Sequence, residues 1–191
     1  MTRALGTSGE GRVSAGEVPL CVDLDGTLIR TDTLFVSVRA LARSNPVSFA
    51  RMPFWLLAGR AKLKAEVAAR VAIDAGSLPY NRELVQLLWR EREAKRRIWL
   101  VTAADRRVAD AVAAHLGLFA GVLASDGSRN LKGGAKLRAL EKLFPGGFDY
   151  AGNSAADLPI WRRARRAIVV NAPRRVVRAA RAGARVHLVL P

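Results

Sequence analysis

The stretch CVDLDGTLIRTD, residues 21–32, decides how this chain is read. An apolar run beginning at Val18 ends in Asp23 and Asp25, and Gly26-Thr27 then turn the chain away. In an extended segment positions two apart share a side. The two carboxylates are therefore expected to converge at the carboxyl end of a buried, central strand. Burying such a pair without compensation is costly, and a divalent cation is the natural compensation. The blander alternative is a plain Asp-Gly-Thr turn.

Outward from this stretch, short apolar runs alternate with amphipathic segments. That pattern predicts an α/β fold: a Rossmann-like parallel sheet flanked by crossover helices. Strands are expected at 20–24, 98–102, 121–124, 148–151, 167–171 and 185–190, and helices at 106–116, 135–144, 156–163 and 174–182. Gly117 and Gly183 follow two of these helices, where left-handed C-caps would sit. Between the first two strands lie about 65 residues, too many for a simple crossover. Asn45-Pro46, Pro53, Gly59 and the 76–79 turn punctuate them. The expected organisation is a flexible lead-in over 1–17, a core domain formed by 18–32 and 98–191, and a helical cap over 33–97. The ligand crevice of such sheets lies at the carboxyl ends of the strands, where an insertion after strand one can cover it.

The chain has 191 residues, 32 Lys and Arg against 16 Asp and Glu, and a formal net charge of +16. Arginine outnumbers lysine by 26 to 6. This balance favours anionic partners, whether phosphorylated small molecules, nucleic acid or an acidic membrane surface. Solvated helix faces in an Ala- and Arg-rich sequence explain it as well. Nucleic acid is the weakest of the three, because no stacking-aromatic pattern or known module accompanies the charge. The single cysteine, Cys21, excludes an intrachain disulfide and reads as a small buried residue. No apolar run is long enough for a transmembrane helix, and the N-terminus lacks a signal core. A cytoplasmic location is expected.

Three further stretches carry polar residues at strand ends. In IWLVTAAD (98–105) Thr102 ends a strand, and with Asp105 it approximates a capping box for the next helix. SDGSRNLKGGAKLRAL (125–140) offers Lys132 at a loop-to-helix junction and Lys136 one turn into the helix. FDYAGNSAADLP (148–159) places Asn153 at a strand end and Asp157 four residues later. His115, His187, Asp32 and Asn171 are read as structural, the last two as cap or turn residues.

Together these stretches resemble the four motifs of the haloacid dehalogenase superfamily of hydrolases, in its phosphoserine-phosphatase-like branch. The resemblance runs from about Val18 to Leu190 and includes the cap. It implies a magnesium-dependent phosphatase in which Asp23 is the nucleophile that forms an aspartyl-phosphate. Asp25 is then the acid and base, and its presence favours a phosphatase over a dehalogenase, whose halide leaving group needs no proton. It further implies that Thr102, Ala103, Gly26 and a lysine face the phosphate. Lys132 is favoured because it sits in a Lys-Gly pattern, with Lys136 the alternative. The implied Mg2+ ligands are Asp23, Asp25 through its backbone carbonyl, Asn153 and, directly or through water, Asp157. The family commonly has Asp where Asn153 stands, so a site with one charge fewer is expected.

PFWLLAGRAKLK (53–64) sets apolar residues beside cations, which suits either a cap core or a bilayer interface with anionic headgroups. The stretch 130–161 also resembles the soluble portion of bacterial proteins fused to a UbiA-type prenyltransferase. That implies a prenyl-linked phosphate as an alternative to a small metabolite, a prenyltransferase membrane domain or the inner membrane face as partner, and peripheral attachment there. A catalytically weak domain serving as a regulatory or binding module is the competing reading.

Overall fold

The computed structural model describes residues 18–191 apart from positions 127 and 129. The lead-in expected over 1–17 lies outside the described residues.

Six strands form one wholly parallel sheet: β1 (Leu20–Val22), β2 (Ile98–Asp105), β3 (Gly121–Ser125), β4 (Asp149–Gly152), β5 (Ala167–Val170) and β6 (Val186–Leu190). Their order is β3-β2-β1-β4-β5-β6, the Rossmann-like α/β arrangement that the alternating runs predict. β1, β4 and β5 are buried along their whole length, which is why they read as continuous apolar runs instead of alternating ones. Val22 pairs with Leu100 on one side and with Ala151 on the other. Asp23, Thr102 and Asn153 therefore stand at the same end of the sheet. The chain order reverses between β1 and β4, so a ligand crevice is expected there.

Crossover helices cover both faces. α6 (Arg106–Leu116) and α5 (Arg82–Glu93) bury Val108, Val112, Leu84 and Leu88 in one apolar cluster with Leu20, Val22 and Leu100. α7 (Gly134–Leu143), α8 (Leu158–Arg163) and α9 (Arg174–Gly183) enclose the other, built around Leu140, Phe148, Tyr150 and Trp161. Gly117 ends α6 in the left-handed region at φ 63°, as the sequence predicts. Gly183 does not do this for α9. It is the last helical residue, and Ala184 caps the helix in an extended conformation.

Between β1 and β2 the chain forms α1 (Thr33–Ser44), α2 (Pro46–Ala50), α3 (Met52–Leu57) and α4 (Arg60–Ala68) before α5. Leu41, Leu63 and Val67 make a small apolar centre with side chains of α1, α3 and α4. α5 instead packs in the main core. The segment between the first two strands thus packs in part on its own apolar centre and in part in the main core.

Candidate functional site

β1 ends at Val22, so Asp23 and Asp25 lie on a wound turn and not on an extended strand as expected. Leu28 N–H donates to the Asp23 carbonyl at 3.2 Å, and Gly26 N–H to the Thr31 carbonyl at 3.1 Å. Gly26 adopts φ +75°, which favours glycine here. The turn sends the two carboxylates to different partners.

Asp23 is buried and accepts from Lys136 Nζ at 2.6 Å and from Thr27 Oγ1 at 3.3 Å. Burial raises its carboxyl pKa, and the Lys136 ammonium opposes that rise. Asp25 accepts from Thr33 N–H at 2.7 Å. Burial pushes its pKa up to about 6 against the pull of Thr33, with Asp32 and Asp23 adding to the rise. A carboxyl poised near neutrality can give and take a proton in one cycle. Asp32 itself caps α1, accepting from Leu34 N–H at 2.8 Å.

Lys136, not Lys132, meets the nucleophile candidate, and this corrects the favoured sequence reading. Lys136, Ala139 and Leu140 form the buried face of α7, and Lys136 is only 4 % exposed. Lys132 precedes the helix and is exposed at the rim, near enough to Lys64 to help lower the pKa of that ammonium. Lys132→Ala should accordingly change stability by no more than about 0.5 kcal/mol, as for an ordinary surface position. Thermal denaturation of the purified chain checks this.

Lys136 Nζ also donates to Tyr150 Oη at 3.0 Å, and Tyr150 in turn donates to Asp157 Oδ1 at 3.0 Å. Burial and the Asp157 charge raise the phenol pKa well above its usual value, so Tyr150 remains a donor. The other Asp157 oxygen accepts from Asn153 N–H at 3.2 Å, Ser154 N–H at 3.0 Å and Ser154 Oγ at 3.0 Å. With both oxygens engaged and 3 % exposure, Asp157 is a clamp on its own turn rather than a direct metal ligand. Gly152 permits this packing, because a Cβ there would sit 2.8 Å from the Tyr150 ring and 2.9 Å from the Asp157 carboxylate.

β2 continues through Thr102 to Asp105, and Asp105 is the residue that caps α6, accepting from Arg107 N–H at 3.0 Å. The capping box expected at Thr102 is therefore not formed, and Asp105 alone caps the helix from the end of the strand. Thr102 Oγ1 accepts from Ala104 N–H at 2.9 Å, which leaves its own proton for another acceptor. The Ala103 carbonyl accepts from Ser125 Oγ at 3.0 Å and from Lys64 Nζ at 2.6 Å. Lys64 comes from α4, so the insertion reaches directly to the carboxyl end of β2. Burial lowers the Lys64 pKa, while Asp25 and Asp32 oppose the shift.

A buried carboxylate–lysine pair thus meets a second carboxyl and the Thr102 hydroxyl near the reversal point of the sheet. Residues 20–162 match the model of the haloacid dehalogenase-like hydrolases. The chain belongs to this family. A protein of Sinorhizobium fredii (strain NBRC 101917 / NGR234), described as uncharacterized protein y4nM, is 44% identical over 155 residues. The match covers 81% of this chain but 30% of that protein, so the chain spans under a third of its length. A Bordetella pertussis Tohama I protein of unknown function superposes with a TM-score of 0.69 at 19% identity, covering 92% of this chain and 98% of the other. A phosphoserine phosphatase, as a phospho-aspartyl intermediate analogue, gives 0.61 at 13% identity, with 91% and 93% covered. At these identities the two structures establish a shared fold.

Among the described residues no three His, Cys, Asp or Glu side chains gather as a metal site. Magnesium, which the family resemblance implies, would need the Asn153 amide as well as Asp23. A Cβ built on Gly26 would fall 2.1 Å from Asn153 Nδ2 and 3.6 Å from its Oδ1, so the amide lies against the aspartate turn. Carboxylate, amide and backbone carbonyl oxygens are hard donors of the kind magnesium takes. The donor set fits, with one carboxylate fewer than an Asp-containing site would have.

Sequence reasoning missed Tyr150 and Lys64, and it read Asn171 only as a turn residue. Asn171 adopts φ 47° and donates from Nδ2 to the Gly26 carbonyl at 3.2 Å, steadying the aspartate turn. The available signals were a polar-tipped Tyr inside a fully buried strand and a lysine on the buried stripe of α7. Nothing in the sequence separates Lys64 from Lys62. Cys21 and His115 are structural, as expected: the thiol is buried and its pKa raised by burial, and the imidazole stacks on Tyr80 at 5.8 Å. No helix among the described residues is long and apolar enough to cross a membrane.

Proposed function

We propose that this hydrolase cleaves a phosphomonoester through an aspartyl-phosphate at Asp23. The observation that carries the reading is the buried Asp23–Lys136 pair with Asp25 beside it at the β1/β4 reversal. Asp23 Oδ1 is committed to Lys136, while Oδ2 takes the longer contact from Thr27 at 3.3 Å. Oδ2 is the oxygen that attacks phosphorus. The bond to the leaving oxygen breaks, and Asp25 delivers its proton to that oxygen. Water then attacks the same phosphorus, Asp25 takes the proton of the water, and Asp23 is released as a carboxylate. Splitting the transfer into two displacements is what a carboxylate nucleophile achieves.

Lys136 keeps Asp23 ionised and offsets negative charge gathering on the transferring group. The Thr102 hydroxyl and the Ala103 backbone, anchored by Ser125 and Lys64, hold phosphate oxygens. Magnesium held by Asp23, Asn153 and the Asp25 carbonyl would add charge compensation at the phosphoryl oxygens. A small phosphorylated metabolite is the default substrate. A prenyl-linked phosphate draws support from the resemblance of 130–161 to UbiA-type fusion proteins.

Release of p-nitrophenol from p-nitrophenyl phosphate, with and without magnesium, tests the reading. Magnesium-dependent turnover is expected, and no turnover at any magnesium concentration would leave a binding module. Asn153→Asp tests the metal assignment separately. It should tighten magnesium binding about tenfold, equivalent to about 1.4 kcal/mol, read as the magnesium concentration that half-saturates the rise in Tm. An unchanged midpoint would remove Asn153 from the metal site.

A further inference from the structure

We propose that α2 and α3 form a docking surface for a lipid bilayer bearing anionic headgroups. Within positions 47–57 five large apolar side chains are exposed: Val47, Phe49, Phe54, Leu56 and Leu57. α3, with the sequence MPFWLL, has no buried residue at all. Phe54 is 71 % and Leu57 86 % exposed. Packing of the cap therefore does not account for this helix. Its half-buried Met52 and Trp55 lean on the small centre made by Leu41, Leu63 and Val67, which turns the remaining side chains outward.

The charges around this helix say what covers it. No acidic residue occurs at positions 33–65. Arg43, Arg51, Arg60 and Lys62 are exposed and bracket the apolar segment on both sides. A protein partner would need an acidic rim around an apolar pocket of matching shape. An acidic bilayer supplies both properties anywhere on its surface. Interfacial helices bury apolar side chains at the headgroup boundary while basic residues meet anionic lipid. An exposed patch rimmed by polar residues marks such sites. The proposal concerns location and is independent of whether the site turns over phosphate.

Co-sedimentation of the full chain with phosphatidylcholine vesicles, with and without phosphatidylglycerol, tests it. Binding is expected only to the anionic vesicles and should weaken as salt rises. The double variant Phe54→Ser/Leu57→Ser should bind at least about tenfold more weakly, with an unchanged circular dichroism spectrum. Because the whole chain is basic, two charge-reversal pairs are compared. Arg51→Glu/Arg60→Glu should weaken binding more than Arg174→Glu/Arg178→Glu, which makes the same charge change on α9. Failure of the parent chain to bind would overturn the proposal. So would an equal effect of the two pairs, or vesicle binding untouched by the apolar variant. Concentration-dependent self-association that the apolar variant abolishes, without vesicle binding, would show a second copy on this face and overturn it as well.

Discussion

Asp23→Asn should lower the rate of phosphate release by at least about a thousandfold, on the order of 4 kcal/mol of transition-state stabilisation. The amide lacks the nucleophilic carboxylate oxygen, yet it has nearly the same shape and its carbonyl can still accept from Lys136. The fold should therefore survive, which thermal denaturation beside the assay would establish. Near-parental turnover in a folded Asp23→Asn chain would remove the covalent mechanism. Asp25→Asn differs in kind, because it leaves the attacking oxygen in place and removes the group that gives and takes the proton.

The second large effect belongs to Lys136. Lys136→Met retains the length of the side chain and removes its charge, leaving Asp23 buried without a cation and Tyr150 without its donor. Breaking one side of a buried pair costs about 3–5 kcal/mol, and for a chain of this size that lowers Tm by about 10 °C. The sign with pH follows from Asp23. Burial raises its folded-state pKa, and without Lys136 only a backbone hydrogen bond from Leu24 opposes the rise. A carboxyl with a raised folded pKa costs stability above its unfolded pKa, and that cost fades as pH falls through the folded value. In the presence of a chelator, the deficit of Lys136→Met relative to the parent should thus shrink on acidification. A deficit independent of pH would mean that the loss comes from packing and not from the uncompensated carboxylate.

The parallel sheet was legible because β1, β4 and β5 are buried on both faces and therefore read as uninterrupted apolar runs. The extent of β2 was less so. Its strand passes Thr102 because Asp105 pairs with Ser125 after a shift of register, a long-range contact with no local signature. At the site, Asp23 and Asp25 stand out by sequence because few other roles explain that spacing. The choice between the two lysines turned on which face of α7 is buried. The spacing of Lys136 with Ala139 and Leu140 contained that information, but a lysine in an apolar stripe reads as solvated unless its partner is known. That partner is more than a hundred positions away in the chain. Tyr150 was missed, and the hydrogen bonds that hold Asp157 were not foreseen, for a related reason. An acid after a strand end looks like a ligand, and only the four donors around it reveal that its oxygens are already taken.

The most direct test of the central claim is acid-quenched mass analysis of the chain during turnover of p-nitrophenyl phosphate, whose leaving group departs without a proton, carried out on Asp25→Asn so that the second displacement is slowed. A phosphoryl group on the peptide that contains Asp23, absent when Asp23 is also replaced by Asn, is the predicted result. Turnover of the parent chain with no such adduct, or an adduct on any other residue, would contradict the account.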